Sequence, residues 1–262
     1  MRNLLKADFY RILKNKLAFI SLIIAAVFPI VLCATFLGLK ELFSFGDEET
    51  KEMLGLAFNS HLVVSTTFSF TNNFGIAMPI FAAIIVLSDI SSGTIRNKII
   101  LGYNRHKIFV SHFITCMVYC LVLMLVYASM TALWSVIFLG AENITQEHAM
   151  SLLYFYILGM LLYAVVSIIV TSLALLTFST AGSIILTVAI CMGIGLITSL
   201  LMMFDYSKFE HIFNFIPAFV MGLFQIDEIG LIPFLESLAG TVVFGVAFYA
   251  LGAFGFSKKD LK

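Results

Sequence analysis

Apolar residues along the chain gather into six long, nearly continuous runs, at about 17 to 38, 68 to 88, 108 to 139, 151 to 178, 183 to 204 and 232 to 256. A bilayer core about 30 Å thick takes roughly 20 apolar residues in helical form, so each run has the length of one crossing. The third is long enough to tilt strongly or to project from the bilayer. A β-barrel would instead show segments of about ten residues alternating apolar and polar. These runs do not alternate and are rich in Leu, Ile, Ala and Met. The pattern predicts an all-α integral membrane protein with six transmembrane helices, each satisfying its own backbone hydrogen bonds in lipid.

Two further segments are apolar without being spans. Residues 1–16 carry charges throughout, to Lys16, and therefore lack the apolar core of a cleavable signal. As a helix they place Met1, Leu5, Phe9, Ile12 and Leu13 on one stripe, with Arg2, Lys6 and Lys14 elsewhere, which suits a helix lying in the membrane interface. Residues 209–230 are interrupted by Pro217, Gln225, Asp227 and Glu228 yet contain Phe213, Phe215, Ile216, Phe219, Val220 and Leu223. They read as an interfacial or re-entrant segment before the sixth span, with Phe213, Phe215, Pro217 and Phe219 the candidates for an outer gate. The chain thus reads as one domain, 1–262: an interfacial helix (1–16), six spans (17–256) and a tail (257–262).

Composition agrees with the pattern. Hydrophobic residues make up 61% and charged residues 11%, with a mean hydropathy of +1.06, whereas about 25% of a soluble domain is charged. The formal net charge of zero conceals a strong asymmetry. With six spans the two termini share a side, and that side collects Arg2, Lys6, Arg11, Lys14, Lys16, Arg96, Lys98, Arg105, Lys107, Lys258, Lys259 and Lys262. Only Lys40, Lys51 and Lys208 fall opposite. The positive-inside rule then predicts cytoplasmic termini. Acidic residues run the other way, with Asp8, Asp89 and Asp260 inside and the rest at or beyond the outer rim, including Asp47, Glu48, Glu49 and Glu52. The basic inner face suits anionic lipid headgroups; nucleic acid is not an expected partner.

The residue types that carry chemistry are present but not arranged for it. Cys33, Cys116, Cys120 and Cys191 all fall inside predicted spans and read as small packing residues. The histidines are scattered, and there is no HExxH motif, paired-carboxylate helix motif, GxSxG elbow or GxxxxGK[ST] loop. Neither a catalytic site nor a metal site is expected. Ionisable groups deep in the spans, the usual mark of a proton or ion pathway, are almost lacking. Asn72 and Asn73 read as helix-packing groups.

The segment Asp89 to Lys107 (DISSGTIRNKIILGYNRHK), between the second and third runs, holds four of the fifteen Lys and Arg. Ser91, Ser92 and Thr94 can cap a helix, Gly93 allows a sharp exit from the second span, and Gly102 can end the helix. Ile95, Ile99 and Ile100 are expected on one side, with Arg96, Asn97 and Lys98 around the rest. Such a helix needs an apolar partner, lipid or protein.

These residues resemble the coupling-helix region of permease subunits of type 2 ATP-binding-cassette (ABC) transporters. The similarity is greatest to small bacterial permeases associated with bacteriocin, lantibiotic and bacitracin export or self-immunity. The Gly93-Thr94 pair, the Arg96-Asn97-Lys98 stretch and Gly102 followed by Arg105 carry it, together with the amphipathic start, the six runs and the FNFIP segment, Phe213 to Pro217. The resemblance implies a permease that is not itself an enzyme and that pairs with a second permease, identical or related. Separate cytoplasmic ATPase chains, holding ATP and Mg, would drive it. Gly93, Thr94, Ile95, Arg96, Asn97, Lys98, Ile99, Gly102 and Arg105 would lie at the ATPase contact, and Ser179, Thr180, Ala181 and Gly182 at a smaller second one. The substrate would be an amphipathic peptide, antibiotic or lipid-like molecule, and the location a bacterial plasma membrane. The alternative is a membrane-anchored sensor or scaffold whose inner loop recruits a regulatory protein.

Overall fold

The computed structural model describes residues 1–43, 60–68, 74–91, 94–140, 146–204, 206–223 and 229–258. Gly93, the acidic cluster around residues 47–52, Asn72, Asn73 and the last four residues lie outside them, as do the side chains of Asp89, Arg96 and Thr180. Among the described residues every regular element is a helix: α1 (Arg2–Lys14), α2 (Lys16–Phe43), α3 (Ser60–Thr66), α4 (Phe74–Ser91), α5 (Thr94–Ile100), α6 (Arg105–Leu139), α7 (Gln146–Thr177), α8 (Thr180–Leu201), α9 (Tyr206–Asn214), α10 (Pro217–Leu223) and α11 (Leu231–Lys258).

Five of these, α2, α6, α7, α8 and α11, are long and apolar enough to cross a membrane. The second run, expected at 68 to 88, is described in two pieces: Phe68 lies in a turn after the short helix α3, and the helix α4 is described from Phe74 to Ser91. α4 packs against α2, α6, α7 and α8 at once. Met78, Ala82, Ala83, Ile85 and Val86 are all buried, so protein rather than lipid surrounds much of this helix.

The longest helix contact is between α7 and α11. A Cβ at Gly252 would collide with the Ser172 hydroxyl and lie 3.0 Å from the Phe109 ring. At the other end of α11 a Cβ at Gly240 would collide with the Phe215 carbonyl. α11 approaches α7 this closely at Gly252, and the connection between α9 and α10 this closely at Gly240, because those side chains are missing, as is common where helices meet in lipid. Several hydroxyls are satisfied locally: Thr131, Thr171, Thr187 and Thr241 each donate to the carbonyl one turn back, and Tyr156 donates across to Ala128 O at 2.9 Å. Exposed Val, Leu, Ile and Phe side chains cover the outer faces of α2, α8 and α11, the faces that meet lipid.

The α7–α11 contact gives a direct test. Gly252→Val forces overpacking, which costs about 1–3 kcal/mol, and should lower the thermal unfolding temperature in detergent. Gly193→Ala, where a Cβ meets nothing within 4 Å, should leave it unchanged.

Candidate functional site

The short helix α5, Thr94–Ile100, is followed by Gly102, which takes φ +81. Gly102 N donates to Ile99 O at 2.9 Å and Tyr103 N to Lys98 O at 3.2 Å, the paired bonds of a glycine-terminated helix. Asn104 then caps α6 by accepting from His106 N at 3.1 Å. The chain reverses within a few residues, and this sharp return presses α5 against α4 and α6.

One face of α5 is therefore turned into the protein. Ile95 is 2% exposed and packs with Ile108, Phe109, Leu175 and Phe256, flanked by Ile99, Tyr103 and Phe178. This corrects the expectation that Ile95 and Ile99 face a partner together with Ile100. At 3.6 residues per turn Ile100 lies about 140° round the helix from Ile95. It is 81% exposed, Leu101 beside it is 75% exposed, and Asn97 is also exposed.

Lys98 shares the inward face and is buried. Its Nζ lies 2.6 Å from Asp8 Oδ1 of α1 and 3.2 Å from His112 Nε2 of α6. An ammonium has only hydrogens to offer, so the imidazole nitrogen accepts. Ser111 donates to the other Asp8 oxygen at 2.7 Å, and Thr115 donates to Ser111 O at 2.6 Å. Burial holds the Lys98 amine below its ordinary value; the hydrogen bond to Asp8 and its charge oppose that shift, and nearby Arg11 adds to it. A cavity of about 20 Å³ beside Asp8, Asn15, Ser88 and Thr115 has room for about one water.

Asp8 also reorders α1. Leu4 and Asp8 are its buried residues, whereas Met1 and Leu13 of the expected apolar stripe are exposed. The ion pair selects which face turns inward, and Tyr10, Leu13 and Leu17 are left on the outside. Asp8, Ser111 and His112 are the site residues that hydrophobic periodicity misses. The available signal was a single acid within a basic amphipathic segment.

The remaining predicted residues fall in three places. Arg105 Nη1 donates to Ser257 O at 3.3 Å, tying the start of α6 to the end of α11. At the second inner turn Ser179 caps α8 by accepting from Gly182 N at 3.3 Å; Ala181 is exposed and Gly182 half-buried. Phe178, with φ 52, carries this turn onto the Ile95 cluster, so the two inner segments are neighbours. On the opposite end Phe213, Pro217 and Phe219 are buried in the α9–α10 hairpin, with the Phe213 and Phe219 rings 4.9 Å apart, while Phe215 is partly open. Two hydrogen bonds to Glu236 of α11 hold the hairpin: from Asn214 Nδ2 at 2.8 Å and with His211 Nδ1 at 2.6 Å. The latter bond, followed by the Glu236 charge, raises the His211 pKa above its ordinary 6.5.

Residues 22–262 match a family described as a protein of unknown function, DUF2705. The chain belongs to that family. No curated protein matches it.

Breaking a buried ion pair by removing one partner costs about 3–5 kcal/mol, and replacing both by apolar residues is often near neutral. Asp8→Leu and Lys98→Met should each lower thermal stability in detergent, and the double variant should recover most of the loss. At the other end, the His211–Glu236 contact should be fully present below pH about 6.5, as long as Glu236 stays ionised, and should weaken as pH rises through the raised histidine pKa. Protection factors of the α9 amides, which correct for base-catalysed intrinsic exchange, should therefore be higher at pH about 6 than at pH about 8.5. In His211→Gln that pH difference should vanish.

Proposed function

We propose that this chain is the permease subunit of a type 2 ABC transporter, with ATP hydrolysed by a separate cytoplasmic chain. Its cargo would be an amphipathic peptide, antibiotic or lipid-like molecule moved outward across a bacterial plasma membrane. The observation that carries the reading is the attachment of α5. Lys98 joins it to α1 and α6, and Ile95 joins it to α6, α7 and α11, while Ile100 and Leu101 project from it. A force applied to that tip moves four other helices, which is the mechanical property a coupling element needs.

In this reading α4 is the second of six spans and both termini are cytoplasmic, as the Lys and Arg distribution argues. Two copies, identical or related, pair through the lipid-facing sides of α2 and α8. Gly193 has open space before it and Ala189 is exposed; Ala25 is fully buried in the chain's own core and so takes no part in the pairing. The ATPase contact is Asn97, Ile100 and Leu101, with Ile95, Lys98 and Ile99 positioning them from behind.

Affinity purification from the native host supplies the test. The wild-type chain should bring down an ABC ATPase. Ile100→Asp/Leu101→Asp should fold and insert normally yet lose that partner by at least about tenfold, or 1.4 kcal/mol. Ile95→Asp should fail differently, by unfolding the inner cluster, because it buries an unpaired carboxylate. A regulatory protein in place of the ATPase would favour the scaffold reading, and full ATPase binding by the Ile100/Leu101 variant would reject the contact.

A further inference from the structure

We propose that the cleft between α8 and α11 is a binding site for one acyl chain of a bilayer phospholipid. Both helices pack on α7, and between them lies a cavity of about 270 Å³. Val166 and Ile169 of α7 form its floor, Ile194 of α8 and Phe244 and Phe248 of α11 its walls, and Pro217, at the start of α10, its roof. Protein interiors rarely leave voids larger than a water molecule. An apolar cavity of about 150 Å³ already stays dry and takes up benzene, so this larger one suits a hydrocarbon segment.

The lining decides the chemistry of the occupant. It exposes no polar surface, and its two hydroxyls are engaged within their own helices: Thr198 donates to Gly195 O and Thr241 to Ser237 O. A sugar, peptide backbone or headgroup would lose its hydrogen bonds there. The position decides the source. Ile197 and Phe244 line the cleft and are themselves exposed, beside the exposed Leu196 and Val243. The mouth thus opens sideways, between the last turns of α8 and the middle of α11, two helices long enough to span a membrane. Phospholipid chains are the hydrocarbon that surrounds such a mouth, and no feature of the site depends on the transport reading.

The chain has one tryptophan, Trp134, so a Trp134→Phe background allows a single reporter. Phe248→Trp lies in the cleft, and Val242→Trp lies on the exposed face of the same helix. Both are reconstituted with phospholipid brominated on its acyl chains, which quenches tryptophan on contact, and are then moved into detergent with bulk lipid removed. Quenching should persist at position 248 and disappear at 242; equal relief at both positions overturns the proposal. Native mass spectrometry of the protein with its natural side chains gives a second reading. A phospholipid should remain bound and be lost in Ile194→Trp, which fills the cleft. Unchanged phospholipid occupancy in that variant, or retention of a different amphiphile in its place, overturns the proposal as well.

Discussion

The ion pair between Lys98 and Asp8 governs how the end of the bundle that carries α5 is built. An ammonium with almost no exposure is tolerated only where its hydrogens find acceptors, and here Asp8 and the His112 ring supply them. Those groups come from segments about ninety residues apart in the chain. Satisfying them fixes the rotation of α1, the depth of α5 and the approach of both to α6. A seven-residue helix, too short to be stable alone, thereby becomes part of the bundle.

The Ile95 cluster extends that attachment to the other half of the molecule. Ile95 touches residues from α6, α7 and α11, and the same region contains the Gly252 crossing, where Ser172 and Phe109 close on a helix without a side chain. Polar and apolar contacts therefore lie side by side on the inward face of α5, one toward the N-terminal helix and one toward the C-terminal helix. Among the described side chains of α5 and its end, Asn97, Ile100 and Leu101 remain outside. In the proposed transporter this separates a small surface for a partner from the larger body that would respond to it.

Much of this was legible in the sequence, because long apolar runs in a membrane protein admit few structures. The span limits at 108 to 139 and 232 to 256 match their helices closely, and Gly102 ends α5 for the reason its residue type implies. Apolarity in the second run does not mean lipid contact throughout. In α4 it reflects packing against four neighbouring helices. The face of α5 was misassigned because three isoleucines within six residues cannot all share one side of a helix. A buried lysine on the inward face then decides which of them turns outward. Asp8 was seen as a charge and not as a partner, since pairing across the chain leaves no periodic trace.

The measurement that bears most directly on the proposed coupling is a pair of pulsed-EPR distances in the proposed assembly of two copies with an ATPase, with and without ATP. One pair spans Tyr10 of α1 and Asn97 of α5 within a copy, both exposed; the other spans Asn97 in the two copies. If α5 transmits force as a fixed part of the inner unit, the distance within a copy stays constant while the distance between copies shortens on ATP binding. A change confined to the Tyr10–Asn97 distance, or no response to ATP at either pair, would contradict it.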